Sequence, residues 1–182
     1  MYCRGGSLTL PLIYCFMSWK IEVLPKRKSN RIPNYDYSTA NFYFVTICTH
    51  EKKCIFGSVE NLNWMGKIAA ENLLMIEKLH PQIRLDHYVV MPNHIHAILE
   101  FSNMGKDNLT NVIGQYKMSV TKKIRAEKPG FLVWQRSFHD HVIRNKPGYE
   151  KIWAYIENNP QKWEEDCFFV SAEIDESLRE GQ

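Results

Sequence analysis

At 182 residues, with 45% hydrophobic and 24% charged residues, the chain has room for one well-buried domain and the composition of an ordinary globular protein. Its formal charge of +3 hides an asymmetry: after residue 163, Glu164, Glu165, Asp166, Glu173, Asp175, Glu176 and Glu180 face Arg179 alone, which leaves a strongly basic body suited to a polyanion such as nucleic acid. The five cysteines are odd in number and form no Cys-x-x-Cys pair, which argues against a disulfide scaffold or a cysteine-built zinc site and for reduced thiols in a cytoplasmic setting.

Residues 1–25 read as an irregular lead. Within it Leu8–Met17 is apolar, but it is too short to span a bilayer and carries Pro11; no membrane partner is expected, and Met17 is an alternative initiator. Lys26, Arg27, Lys28 and Arg31 then form a basic stretch before Pro33. Phe42–Thr49 is β-branched and aromatic with apolar residues on both faces, the pattern of a central strand. Asn63 is placed to cap a helix running to about His80, with Met65, Ala69, Leu73 and Ile76 at helical spacing. Ile83–Met91 and His94–Phe101 read as antiparallel strands joined by a tight turn at Pro92-Asn93. Thr110 can cap a second helix to about Ala126, with Ile113, Tyr116, Val120 and Ile124 inward. Pro129-Gly130 breaks it, and Phe131–Ile143 contains a further strand. A third helix starts near Pro147 and must end by Pro160, which disfavours helical geometry at Asn159. The order β-α-β-β-α-β followed by a helix predicts an α+β, ferredoxin-like split βαβ fold, with helices on one face of an antiparallel sheet plus a C-terminal helix bearing Tyr155.

The chemistry-bearing residues lie in two of these elements. His94 and His96 flank Ile95 at the start of a strand, so both imidazoles project from one sheet face and can approach a single cation, while Ile95 turns into the other layer. On the last helix Tyr155 and Asn159 are four apart and share a face. A metal draining charge from a phosphodiester would let the Tyr155 oxygen attack phosphorus in line. An unperturbed tyrosine, of pKa roughly 10, is only about one-thousandth phenolate at neutral pH, so its surroundings must supply the activation. The chain has neither Gly-x-x-x-x-Gly-Lys nor Gly-x-Gly-x-x-Gly, consistent with chemistry that needs no nucleotide.

Four blocks carry a family resemblance. They are Val90-Met91-Pro92-Asn93-His94-Ile95-His96, Val133-Trp134-Gln135-Arg136-Ser137-Phe138, His141-Val142-Ile143-Arg144-Asn145, and Tyr155-Ile156-Glu157-Asn158-Asn159-Pro160. Together, in this order, they resemble the single-tyrosine HUH (IS200-like) transposases, and within them the REP-associated tyrosine transposases. Lys28-Ser29-Asn30-Arg31, Tyr35-Asp36-Tyr37 and Tyr43-Phe44-Val45-Thr46-Ile47-Cys48 also resemble that branch, so the likeness spans roughly residues 26–166, with residues 167–182 as an acidic tail. The resemblance implies that His94 and His96 hold a divalent metal, Mg²⁺ or Mn²⁺. It makes Asn159 a third, amide-type ligand and Tyr155 the nucleophile that forms a 5′-phosphotyrosine. It further implies a single-stranded or hairpin DNA substrate and a homodimer. The alternative is a protein of the same fold that binds hairpin DNA without cutting it.

Other residues carry less. His139 and His141 form a second His-x-His, read as packing or phosphate contact; His50, His80 and His87 have no partner at metal-ligand spacing. A histidine-triad hydrolase would need a third alternating histidine where Ile98 stands. For DNA contact the candidates are Lys26, Arg27, Lys28, Lys117, Lys122 and Lys123 on phosphates, and Arg136 and Arg144, whose guanidinium groups can pair with phosphate bidentately. Trp134 and Phe138 can stack on bases or pack in the core.

Overall fold

The computed structural model describes residues 31–102 and 107–169; the lead through residue 25, Lys26, Arg27 and Lys28, and the tail beyond residue 169 lie outside the described residues. Four strands, β1 (Asn41–Cys48), β2 (Ile83–Val90), β3 (His94–Phe101) and β4 (His139–Ile143), form one sheet in the order β2-β3-β1-β4. Every neighbouring pair is antiparallel. Helices α1 (Trp64–Leu79) and α2 (Leu109–Glu127) complete the split βαβ plan, and α3 (Lys146–Asn158) follows β4.

Strand alternation sorts the sheet into two layers. Tyr43, Val45, Ile47, Ile95, Ala97 and Leu99 point towards α1 and α2 and are 0–1% exposed. Met65, Ala69, Leu73 and Ile76 of α1, and Ile113, Tyr116, Val120 and Ile124 of α2, close the same core, as their spacing predicts. The opposite face carries Phe42, Phe44, Val89, Ile98 and Ile143, and there α3 packs through Tyr149, Ile152 and Ile156. Thus α3 covers the side of the sheet that α1 and α2 leave open.

Local boundaries differ from the sequence expectation in three places. The cap of α2 is Asn108, whose side chain accepts from Thr110 N at 2.8 Å, rather than Thr110 itself. Leu109 is completely buried and its N–H donates to Tyr37 O at 3.1 Å, so tertiary packing draws the helix start forward. Of the stretch 131–143 only His139–Ile143 is strand. Asn159 keeps right-handed helical dihedrals (φ −59°, ψ −40°) although Pro160 follows, because the chain continues into a turn in which Lys162 N donates to Asn158 O and Asn159 O, each at 3.2 Å. Asn63 caps α1 as expected, accepting from Met65 N and Gly66 N at 3.0 Å each.

Gly66 offers a test of this packing. A Cβ there would collide with the Phe56 carbonyl oxygen and crowd Leu62 Cβ at 3.1 Å. Alanine normally stabilises a helix interior relative to glycine, yet Gly66→Ala is expected to destabilise by about 1–3 kcal/mol. Thermal unfolding should show a lower Tm; an unchanged or raised value would contradict the packing.

Candidate active site

The register of β1 against β3 builds the site. Thr46 pairs with His96 and Cys48 with His94, so alternate residues of both strands share the face that α3 covers. His94 and His96 are almost wholly buried, and their Nε2 atoms stand 3.0 Å apart. Each ring is held from behind. Asn93 Nδ2 donates to Lys52 O (3.0 Å) and Phe168 O (2.8 Å), which fixes its amide and points Oδ1 at His94 Nδ1, 2.8 Å away. That Nδ1 therefore carries the proton, and His94 Nε2 presents a lone pair. His96 Nδ1 lies 2.9 Å from Thr46 Oγ1. The hydroxyl serves either tautomer: it donates to Nδ1 when a proton bridges the two Nε2 atoms, and accepts from it when the Nε2 lone pair is engaged elsewhere. The ring of Phe44 stacks on His96 with centroids 5.3 Å apart.

Tyr155 arrives from α3 of the same chain. Its hydroxyl lies 3.3 Å from His96 Nε2 and donates to Asp166 Oδ2 at 3.1 Å. Asn159, one turn along the same helix face, is 3% exposed, and its Nδ2 donates to the same Asp166 oxygen at 2.7 Å. The turn Trp163–Glu165 folds the following segment back so that Asp166 meets both; Phe168 then packs over His94, centroids 4.7 Å apart. Tyr155 remains 41% exposed.

Burial sets the protonation states. It pushes the His94 imidazolium down to about 4 against the pull of Asp166, and His96 down to about 3, with His94 adding to the effect. Burial and the Asp166 charge push the Tyr155 phenol up. Burial would raise the Asp166 carboxyl, but hydrogen bonds from Phe168 N and Asn159 outweigh it and hold the group below its usual range. Two neutral imidazoles thus coexist with a carboxylate and an un-ionised phenol.

This donor set fits a divalent cation. The nearest donor atoms of His94, His96 and Asp166 all lie within 4.8 Å of one another, the one such group of three found among the described residues. Two donors about 2.1 Å from a common ion and at right angles to each other are about 3.0 Å apart, which is the separation of the imidazole nitrogens.

A family profile described as "Transposase IS200 like" matches residues 36–159, well over half of the sequence. The chain belongs to the IS200-like transposases. A protein of Haemophilus influenzae (strain ATCC 51907 / DSM 11121 / KW20 / Rd), described as uncharacterized, is 35% identical over 168 residues, spanning 79% of this chain and 93% of the relative. The fold is similar to that in "Structure of the REP associates tyrosine transposase bound to a REP hairpin", with a TM-score of 0.55, 19% identity and 73% of each chain covered.

In this IS200-like chain, His94, His96, Tyr155 and Asn159 come together as one cluster. Asp166, Asn93 and Thr46 join it unforeseen by the sequence reading. Asp166 sits in an acidic run that resembles any solvated tail, while Asn93 and Thr46 have positional signals only: one precedes the paired histidines, the other faces them across a strand pair. The candidate DNA contacts are more scattered. Arg136 and Arg144 are exposed at the two ends of β4. Lys122 and Lys123 are exposed on α2, on the far side of the sheet from the histidines. Lys117 points inward, donating to Gln135 O at 2.5 Å and Ser137 O at 3.1 Å, and burial lowers its ammonium to about 8. Trp134 and Phe138 are packed: Trp134 against Phe56 and Tyr116 with Nε1 donating to Lys117 O, and Phe138 6% exposed beneath the Arg31 guanidinium. His139 and His141 are exposed and belong to no such donor cluster, whereas Asp140 between them is paired with Arg31.

The depressed histidines make a pH prediction. In the unfolded chain each titrates near 6.5, in the folded chain at about 4 and about 3. Below pH 6.5 the unfolded state binds more protons, so their contribution is complete above that value and is lost as pH falls towards 4. The ceiling is about 1.4 kcal/mol per pH unit for each group. Denaturant titration of the metal-free protein between pH 7 and 4.5 should show this decline, and the slope should flatten in the double variant His94→Gln/His96→Gln. Equal slopes in the two proteins would refute the buried-neutral assignment.

Proposed function

We propose that this protein is a metal-dependent transposase that nicks and rejoins single-stranded DNA beside a hairpin through a 5′-phosphotyrosine at Tyr155. The observation that supports it above others is the meeting of the Tyr155 hydroxyl with the paired His94 and His96 nitrogens inside one chain. Mg²⁺ or Mn²⁺ held by His94 and His96, with Asn159 beside them, would supply Lewis-acid chemistry at a phosphodiester oxygen. Tyr155 O would then attack phosphorus as its proton passes to Asp166 Oδ2, to which the hydroxyl donates. The P–O bond to the 3′ oxygen would break, that oxygen taking a proton from water, to leave a free 3′-hydroxyl and a phosphotyrosine that keeps the diester's energy for rejoining. The reverse attack by a 3′-hydroxyl releases Tyr155 and reseals the strand.

A hairpin substrate is supported by the family and by the hairpin-bound structure of similar fold. Arg136 and Arg144 at either end of β4 would contact its phosphates, with Lys26, Arg27 and Lys28 as further candidates. His139 and His141 lie on the site face beyond the reach of α3 and would line the strand's approach. A second copy of the chain is not required to bring the phenol to the histidines, so a homodimer, if formed, would serve DNA pairing rather than assembly of the nucleophile.

The test uses purified protein and labelled single-stranded oligonucleotides carrying imperfect hairpins from DNA flanking the gene. With Mg²⁺ or Mn²⁺ a covalent protein–DNA band is expected on denaturing gels, and chelator should abolish it. Tyr155→Phe should lower adduct formation by about three orders of magnitude or more while leaving hairpin affinity within about twofold. An adduct that persists in Tyr155→Phe would reassign the nucleophile. Hairpin binding with no adduct under any metal would instead support a silent DNA-binding protein.

A further inference from the structure

We propose that Lys52 is a substrate-contact residue, whose ammonium receives a phosphate of the DNA strand lying beside the paired histidines. This rests on the DNA-processing reading above and adds to it a residue that no charge run in the sequence singles out.

Lys52 is delivered to the site by its backbone. It ends the short turn His50–Lys52, in which Glu51 (φ 54°, ψ 21°) and Lys52 (φ 56°) both adopt the left-handed region that residues with a side chain enter at a cost. Such a turn persists where its surroundings over-determine it, and here Asn93 does so. Thr49 N and Thr49 Oγ1 each donate to Asn93 O at 2.9 Å, and Asn93 Nδ2 donates to Lys52 O at 3.0 Å. The same amide directs Oδ1 to His94 Nδ1 at 2.8 Å, so one buried side chain ties the Lys52 backbone to a histidine of the cluster. The Lys52 ammonium then stands 4.8 Å from the centre of the Phe168 ring, and that ring lies 4.7 Å from His94 and 6.1 Å from His96 between centroids. Neighbouring Lys53 pairs with Glu51 at 3.1 Å, whereas Lys52 forms no ion pair among the described residues. A cation resting on an aromatic face keeps its full charge and is partly stripped of water. Asp166 sets one negative charge at this edge of the site, and an arriving phosphodiester brings a second. A fixed ammonium beside them offsets the repulsion that the strand would otherwise meet.

The test follows the fluorescence anisotropy of a labelled hairpin oligonucleotide with single-stranded flanks against full-length protein over a KCl series. Chelator is present throughout, so no strand is cut. Lys52→Gly should weaken binding about threefold or more at low salt and flatten the slope of log affinity against log salt by about 0.7–0.9, the signature of one lost phosphate contact. Lys52→Arg should keep the wild-type slope. Glycine accepts φ 56° without strain and leaves the carbonyl of residue 52 in place for Asn93, so Tm should stay level or rise. Lys53→Gln is the charge control, one residue on and already paired, and should move the slope less. Methylphosphonate linkages, placed singly along the flanks, locate the contact. One of them should weaken wild type but not Lys52→Gly, and it should be the linkage joined to Tyr155 when metal is restored, or its neighbour. An unchanged slope in Lys52→Gly, an equal change in Lys53→Gln, weaker binding accompanied by a lowered Tm, or a coupled linkage remote from the cut would each overturn the assignment. If wild type binds no oligonucleotide, the DNA reading falls and Lys52 with it. If wild type binds and cuts while the Lys52→Gly slope is unchanged, only the Lys52 inference fails.

Discussion

Two imidazole nitrogens held 3.0 Å apart in a buried site are the constraint around which this molecule is arranged. If both presented lone pairs they would repel, and burial disfavours the extra proton that would make either ring an imidazolium. Something positive or a shared proton must lie between them, and the protein invests a second layer of groups in keeping them there. Asn93 ties His94 to two backbone carbonyls, and Thr46 reaches His96 only because an antiparallel register sets the two residues directly opposite. Orienting groups of this kind fix the tautomer and direction of a metal-binding imidazole. A slip of one residue between β1 and β3 would put Thr46 and the histidines on opposite faces of the sheet, so the register that makes the fold also makes the site.

The fold was largely legible because burial obeys spacing. The stripe Met65, Ala69, Leu73 and Ile76, and the alternation through Tyr43, Val45 and Ile47, each have one apolar solution, and all these residues are buried in one core. Legibility stopped where a residue's role depends on distant chain. Asn108 and Thr110 are both competent caps, and the choice between them is made by the burial of Leu109, which no local pattern reveals. Pro160 weakens helical geometry at Asn159 as a preference, but the turn that follows and the buried side chain override it.

The same division holds at the site. His94, His96, Tyr155 and Asn159 could be read from spacing and resemblance because each pair sits on a regular element whose faces are fixed by its period. Asp166 could not. It follows a short turn, within an acidic run of the sequence, and it acquires partners only when the chain doubles back. Lys117 failed in the opposite direction. Its place in a basic helix suggested phosphate contact, yet its ammonium lies 6.0 Å from the Trp134 ring centroid and is taken by two carbonyls of the loop before β4. A charge's sign was visible in sequence; its direction was not.

What fixes the position of the Tyr155 phenol is the anchoring of α3 away from the histidine cluster. Tyr149, Ile152, Trp153 and Ile156 fall at i, i+3, i+4 and i+7, a single stripe, and all four meet the sheet or its rim. Tyr149 donates to Asp86 Oδ2 at 2.5 Å and stacks edge-on to Phe42, Trp153 lies 4.4 Å over His87 with nearly parallel rings, and Ile156 is 1% exposed. Glu157 adds a carboxylate 3.2 Å from the same His87. Tyr155 and Asn159 form the neighbouring stripe, tilted from this seam towards His96. The helix is thus locked by residues outside the histidine cluster, and Tyr155 and Asn159 stand at the seam's margin, Asn159 buried and Tyr155 two-fifths open. In the reaction proposed above, a phenol mounted this way would need little rearrangement to reach a bound strand, which is where catalysis by positioning gains most.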